Sequence, residues 1–237
     1  MVDDTRNDKK TEKQISDRVA QETEGSILPA DLESGSRDKL KDVAMRLFAE
    51  RGIDGVSTRD IAKEAGVNIS LISYYFGGKE GLYKTTIKEF AEAAVLELTA
   101  LMDGYAAQTL DQVTYVKLMR GILTGIITFK IRSPYMSELM MREMLAGLPH
   151  MRDVYETLFN TVAVRIMNVL TMAQKKGIVH SDVNVHTLLF SMIHSMDVYF
   201  FASKCGTPFM QQSYKMPQDK ELLVDQFTKI FVEGVMK

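Results

Sequence analysis

The residues best placed to do chemistry lie in one short stretch, NISLISYYF, from Asn68 to Phe76. At helical spacing, Asn68, Ile69, Ser70, Ser73 and Tyr74 share an outward side, while Val67, Ile72 and Phe76 face inward. The chemistry available to that outward side is recognition rather than catalysis. Ser and Asn hydrogen-bond base edges, Ile69 can meet a thymine methyl, and a tyrosine hydroxyl reaches a phosphate. An ordinary packing unit with a solvated face would carry the same pattern. Elsewhere there is no nucleophile-elbow motif and no phosphate-binding glycine loop. The four histidines and the single cysteine, Cys205, lack the close spacing of zinc ligands. The expectation is a protein that is not an enzyme and needs no cofactor or metal.

Such a helix needs others to hold it. From Arg37 onward, Leu40, Val43, Ala44, Leu47 and Phe48 recur on one helical face, and Gly52 and Gly55 bracket the end. Ser57 and Thr58 stand where a second helix needs its N-cap, with Ile61, Ala62 and Ala65 as its apolar side. Gly66 supplies the left-handed turn, and Asn68 can cap the third helix, roughly Ile69 to Phe76. Helix, short helix, glycine turn and short helix make up the helix-turn-helix plan.

The wording of this segment narrows the reading. AMRLFAERG, TRDIAKEAGV and YYFGGKEGL follow one another at fixed spacing within the 45 residues from Lys39 to Tyr83. The segment resembles the DNA-binding domain of the tetracycline-repressor (TetR) family. The resemblance implies that Thr58 holds a phosphate with its hydroxyl and the helix N-terminus. It implies that Arg59 can reach a guanine, that Tyr75 and Lys79 contact phosphates, and that Asn68, Ile69, Ser70, Ser73 and Tyr74 face the groove. Three positions depart from the family pattern: Ser73 replaces a common tyrosine, Leu71 a small hydroxyl residue, and Ile69 a residue that is often polar. The base preference is therefore not legible.

The remainder reads as all-α. Helices are expected over residues 79–102, 110–132, 135–145, 150–176, 185–205 and 219–235, with a Gly/Pro-containing loop between the last two, from Gly206 to Pro217. Thirteen of the 16 methionines lie between Met102 and Met216. Methionine lines adaptable apolar sites and also fills ordinary cores. The family resemblance implies a cavity for a small hydrophobic or aromatic effector. Met119, Met140, Arg142, Met144, Tyr155 and His194 are the candidate ligand contacts, with Glu143, Arg165 and Tyr199 as further polar possibilities. His180 and His186 read as solvated. The last two helices carry Leu188, Leu189, Ile193, Met196, Leu222, Phe227, Ile230 and Phe231. The resemblance assigns them to a homodimer interface, which would set two heads roughly 34 Å apart or more on a pseudo-palindromic, double-stranded operator.

The domain expectation follows: residues 1–33 a disordered acidic tail, 34–83 the helix-turn-helix domain, 84–237 an all-helical effector-binding and dimerisation domain. The tail holds five basic and nine acidic residues, and residues 34–90 hold ten and eight, in a chain of net charge −2. The polar N-terminus does not read as a signal peptide, and no apolar run suggests a membrane span. One cysteine fits a reducing cytoplasm. The functional expectation is a repressor released from its operator by a small apolar effector; the alternative is a DNA-binding protein controlled by a protein partner or by chromosome position.

Overall fold

Several helix boundaries among the described residues have a local cause. The computed structural model describes residues 30–202 and 219–237. Cys205, the Gly206–Pro217 loop and the tail before residue 30 lie outside the described residues. α1 runs Ala30–Arg51, α2 Thr58–Ala65, α3 Ser70–Phe76 and α4 Lys79–Asp103. α5 follows as Gln112–Arg132 and α6 as Pro134–Leu145. α7 covers residues 152–175, with Tyr155–Phe159 in a wider π turn. α8 is Val185–Ala202 and α9 Lys220–Phe231, with a 3₁₀ turn Glu233–Val235 behind it. Among the described residues there is no strand, only a single antiparallel bridge between Val179 and Met236.

The tail boundary at residue 33 needs adjustment, because the backbone is already helical at Ala30. Sparse apolar content argues against a core. It does not argue against extra turns, since extending an established helix is far cheaper than nucleating one. Residues 1–39 and 40–237 group as separate units, and everything below concerns the second. At α5 the start moves from the expected 110 to Gln112, because the Asp111 carboxylate accepts the Thr114 amide at 2.8 Å and caps the helix there. α6 starts at Pro134 itself, since a proline at the first helical position lacks only an N–H that would have no partner.

Two apolar cores organise the second unit. One gathers the first four helices through Leu40, Leu47, Phe48, Ile61, Ile72 and Leu82, and it also takes in Met136 and Leu139 of α6. The other joins α5, α7, α8 and α9 through Leu123, Ile166, Leu170, Met192 and Val224. α4 crosses α5 so closely that a Cβ on Gly125 would sit 2.8 Å from a Leu98 methyl carbon, so a larger residue there would have to push the Leu98 side chain aside.

Tyr115 of α5 is fully buried in the second core, and its hydroxyl has no hydrogen-bond partner among the described residues. Burial pushes that hydroxyl up to about 12 from an ordinary value of 10.0. Because burial raises the folded value, stability does not depend on this group's ionisation below pH 10 and falls as pH rises from 10 towards 12. The slope is about 1.4 kcal/mol per pH unit. Tyr115→Phe should remove that slope and add about 1 kcal/mol at pH 7 by deleting an unsatisfied buried hydroxyl. Urea midpoints at pH 7 and pH 11 check both; an unchanged alkaline slope in the variant would refute the assignment.

Candidate nucleic-acid interface and ligand cavity

The second and third helices are held by short-range bonds. Ser57 is extended and caps α2: its Oγ accepts the Asp60 amide at 3.2 Å, and Asp60 Oδ2 accepts the Ser57 amide at 3.0 Å. The hydrogen bonds from the Ser57 side chain and backbone hold the Asp60 carboxyl below its ordinary value. Gly66 closes α2 with φ 67°, a left-handed conformation that a side chain would strain. Asn68 Oδ1 then accepts both the Ser70 amide and the Ser70 hydroxyl at 2.9 Å. Asn68 thus braces the first turn of α3, which commits its acceptor and leaves its amide N–H groups as donors.

α3 packs through Ile72 and Phe76, which are buried, and presents Asn68, Ile69, Ser70, Ser73 and Tyr74 outward. Tyr74 is 72% exposed and meets Tyr75 edge-on at 5.0 Å between ring centres. Arg59 is exposed on α2 and makes no ion pair among the described residues, while Thr58 is half-buried at the first helical position. Lys79 opens α4, and its Nζ donates to the Ile53 carbonyl at 2.8 Å, tying that helix to the turn after α1. Two of its three ammonium protons remain for a phosphate. Ion pairs brace the head from within: Arg46 of α1 with Glu64 of α2, and Lys41 of α1 with Glu89 of α4.

Behind the head, α6 does two jobs. On one side Arg142 donates to the Ala49 carbonyl at 3.1 Å, placing a cation on the last turn of α1 where the helix dipole favours it. Next to it Glu143 is 4% exposed. The Tyr83 hydroxyl of α4 donates to its Oε1 at 2.6 Å, and the His150 amide donates to Oε2 at 3.0 Å. Burial alone would raise the Glu143 carboxyl, but the hydrogen bonds from Tyr83 and His150 outweigh it and hold the group below its ordinary value. Burial and the adjoining carboxylate drive the Tyr83 hydroxyl far upward. The loop that brings His150 round to Glu143 contains Leu148 at φ 60°, a left-handed conformation rare outside glycine and asparagine.

On its other side α6 faces a cavity of about 370 Å³. Met140, Met141 and Met144 line it from α6, Tyr155, Phe159 and Met167 from α7, and Phe190 and His194 from α8. The π turn at Tyr155–Phe159 shifts the helix register there, and such turns recur at functional sites. One wall is polar: Lys130 is paired with Asp197, and His194 Nδ1 lies 3.3 Å from the second Asp197 oxygen.

Residues 40–86 match the model of the bacterial regulatory proteins of the tetR family. That stretch, which holds α2 and α3, is what the chain shares with the tetR family. It is 30% identical over 122 residues to a probable HTH-type transcriptional regulator, YttP, of Bacillus subtilis (strain 168), covering 52% of this chain and 56% of that protein. The BetI regulator of Burkholderia ambifaria (strain MC40-6) is 28% identical over 110 residues, covering 46% of this chain and 52% of the relative. The chain therefore matches only about half the length of these curated relatives. Among solved structures, the ketosteroid transcriptional regulator KstR2 of Mycobacterium tuberculosis has a TM-score of 0.65 at 19% identity, covering 85% of this chain and 95% of the other. That likeness is one of fold.

The cavity's lining is only partly the one expected from sequence. Met140, Met144, Tyr155 and His194 line it. Met119 does not: it is fully buried in the second core. It lies seven residues before Ile126 on α5, which is about 10 Å further up the helix than the cavity reaches. Arg142 does not line it either, because its neighbours on α6 turn inward while its guanidinium reaches the carbonyls ending α1. Glu143 and Tyr199 lie off the lining, and Arg165 pairs with Asp103 beside a separate hollow. His186, read as solvated, is exposed yet borders the cavity. Lys130, Ser137 and Asp197 escaped the sequence reading altogether. Lys130 and Asp197 are 67 positions apart, and no short-range pattern marks such a pair.

Proposed function

We propose that this chain is a DNA-binding transcriptional regulator that works as a two-fold dimer and loses operator affinity when a small, mostly apolar molecule enters the cavity behind the head. The DNA-binding half of this reading rests on the exposed face of α3 together with Arg59, Thr58, Tyr75 and Lys79. The carrying observation for control by a small molecule is the position of the cavity. It is lined by Met140, Met141 and Met144 of the same helix whose Arg142 and Glu143 grip α1 and α4. A ligand favouring one position of α6 would bias the heads, and only such differential binding can change operator affinity. A closed, filled sensor would favour control by a protein partner; the open, apolar cavity supports the small molecule instead.

Dimerisation is read from the exposed sides of the last two helices, and these differ from the residues first named for it. Leu188, Leu189, Met196 and Phe227 are buried within the monomer, whereas Leu222 and Ile230 are exposed. On α8, Phe190, Val198 and Phe201 are 64%, 58% and 56% exposed and fall within an arc of about 80°. Leu222 and Ile230 of α9 span a similar arc. An apolar stripe on each helix is what a four-helix, two-fold interface needs. Ile230→Asp should leave the monomer folded, because the side chain is 59% exposed, yet weaken the dimer by about 2 kcal/mol or more. Light scattering at micromolar concentration reads the mass, and a monomer mass for the unaltered protein would sink the dimer.

The experiment for the whole reading is selection of bound duplexes from a random DNA library. The expected result is a pseudo-palindrome with half-sites about one helical turn apart or somewhat further. Recovery of sequences without any shared half-site would overturn sequence-specific recognition.

A further inference from the structure

We propose that a second copy of the chain closes the cavity: the partner's last two helices form the outer wall that one copy lacks, so ligand binding and dimer formation strengthen each other. The proposal rests on reading the cavity as the effector site and the exposed sides of α8 and α9 as the dimer face. The mouth of the cavity lies on α8. Of the residues lining the cavity, only His186 and Phe190 are exposed, one helical turn apart; the others are buried or half-buried. Phe190 is 64% exposed, yet its ring lies against His194 of the lining, at 4.1 Å between ring centres. The pattern recurs about 16 Å along the helix. There Phe201, 56% exposed, borders the neighbouring hollow that shares Lys130, Met141 and Asp197 with the cavity.

The same two phenyl groups belong to the apolar stripe of α8. At about 100° per residue, Phe201 and Val198 fall about 20° and 80° to one side of Phe190. Asp197 and His186, which line the cavity, fall about 20° and 40° to the other side. The stripe therefore runs along the rim of the cavity, and a surface that covers the stripe covers the mouth. Asp197 is the only Asp, Glu, Lys or Arg from Val185 to Ala202, and it pairs with Lys130. A phenyl-rich face without such charges suits another apolar protein surface rather than a nucleic acid.

A second copy supplies that surface. A two-fold axis sets the stripe of each chain against the same region of the other, and Leu222 and Ile230 of α9 offer a further exposed apolar strip. A ligand in the open cavity of one chain keeps part of its apolar surface in water. In the dimer that surface is covered, so the ligand binds the dimer more tightly than the monomer. By reciprocity the ligand then tightens the dimer by the same factor at each site.

The test is fluorescence titration of the full chain with N-phenyl-1-naphthylamine, an uncharged probe that brightens out of water, alongside sedimentation equilibrium. Ile230→Asp and Leu222→Asp weaken the dimer at positions outside the cavity lining. As a monomer, each should bind the probe about tenfold more weakly than the unaltered dimer does, the effect of covering roughly 55 Å² of apolar ligand surface. Saturating probe should in turn tighten the dimer of either variant about a hundredfold, tenfold for each of two sites. If one variant does not fold, the other decides. Equal probe affinity in monomer and dimer, with the dimer constant unmoved by the probe, would overturn the proposal and leave the effector reading standing. A monomer mass for the unaltered chain would overturn it together with the dimer. No brightening with either form would overturn it together with the effector reading.

Discussion

Glu143→Ala is expected to lower the stability of the chain by about 3 kcal/mol, which for a protein of this size lowers Tm by roughly 10 °C. The reason is what the carboxylate leaves behind. It is the acceptor for the Tyr83 hydroxyl at 2.6 Å and the His150 amide at 3.0 Å, at a site 4% exposed. Alanine removes both partners' acceptor while keeping the donors buried, and unsatisfied buried donors cost more than the bonds contributed. Glu143→Gln keeps one carbonyl oxygen at the same place and should cost about 1 kcal/mol, as should Tyr83→Phe. The double variant Glu143→Ala with Tyr83→Phe should lose less than the sum, since the two residues share one bond. Additive losses in urea unfolding would show that the bond contributes nothing.

The same tie has a pH signature at each end. Glu143's carboxyl lies below its ordinary value, so its contribution is present above pH 4.5 and is lost as pH falls through the folded value. Tyr83's hydroxyl lies above its ordinary 10.0, so its contribution is complete below pH 10 and is lost as pH rises beyond it. Between those limits the tie is intact, and α6 stays fastened to the start of α4. Breaking it should also loosen the link between cavity and head, which operator titrations with and without a bound probe can read in Tyr83→Phe.

Arg59→Ala should weaken operator binding by about 1–3 kcal/mol, roughly fivefold to 150-fold, and relax preference at one base pair. Arg59 is exposed on α2 with no ion pair among the described residues, so its loss should leave the fold of the head alone. Lys79→Ala provides the contrast. It should weaken binding to all sequences alike and flatten the salt dependence by about one phosphate contact. It should also cost some stability, because its Nζ holds the Ile53 carbonyl. Fluorescence anisotropy across a salt series separates the two. If neither change alters affinity, the contact map of the head is wrong.

What the sequence determined by itself was local. Ser57 and Asp60 are three residues apart, Gly66 and Asn68 flank one turn, and Asp111, though not foreseen as a cap, acts on the Thr114 amide three residues on. Signals of that range set helix ends, and apolar periodicity set which sides of α1, α2 and α3 turn inward. The order of the elements, the helix-turn-helix and the outward face of Asn68 to Tyr74 were legible for that reason. The part of the chain beyond α4 was legible as helices and no further. There, periodicity cannot say whether an apolar side chain meets another helix or an opening, so Met119 and Met140 looked alike. Tertiary structure decided that Met119 is packed core and Met140 is cavity wall. It also decided that Arg142 reaches α1, and that Glu143 meets Tyr83 across 60 positions of chain. Lys130 of α5 and Asp197 of α8 meet only because the fold brings together positions 67 residues apart. The head is written in contacts a few residues long, and the cavity in contacts that exist only once the helices have closed on one another.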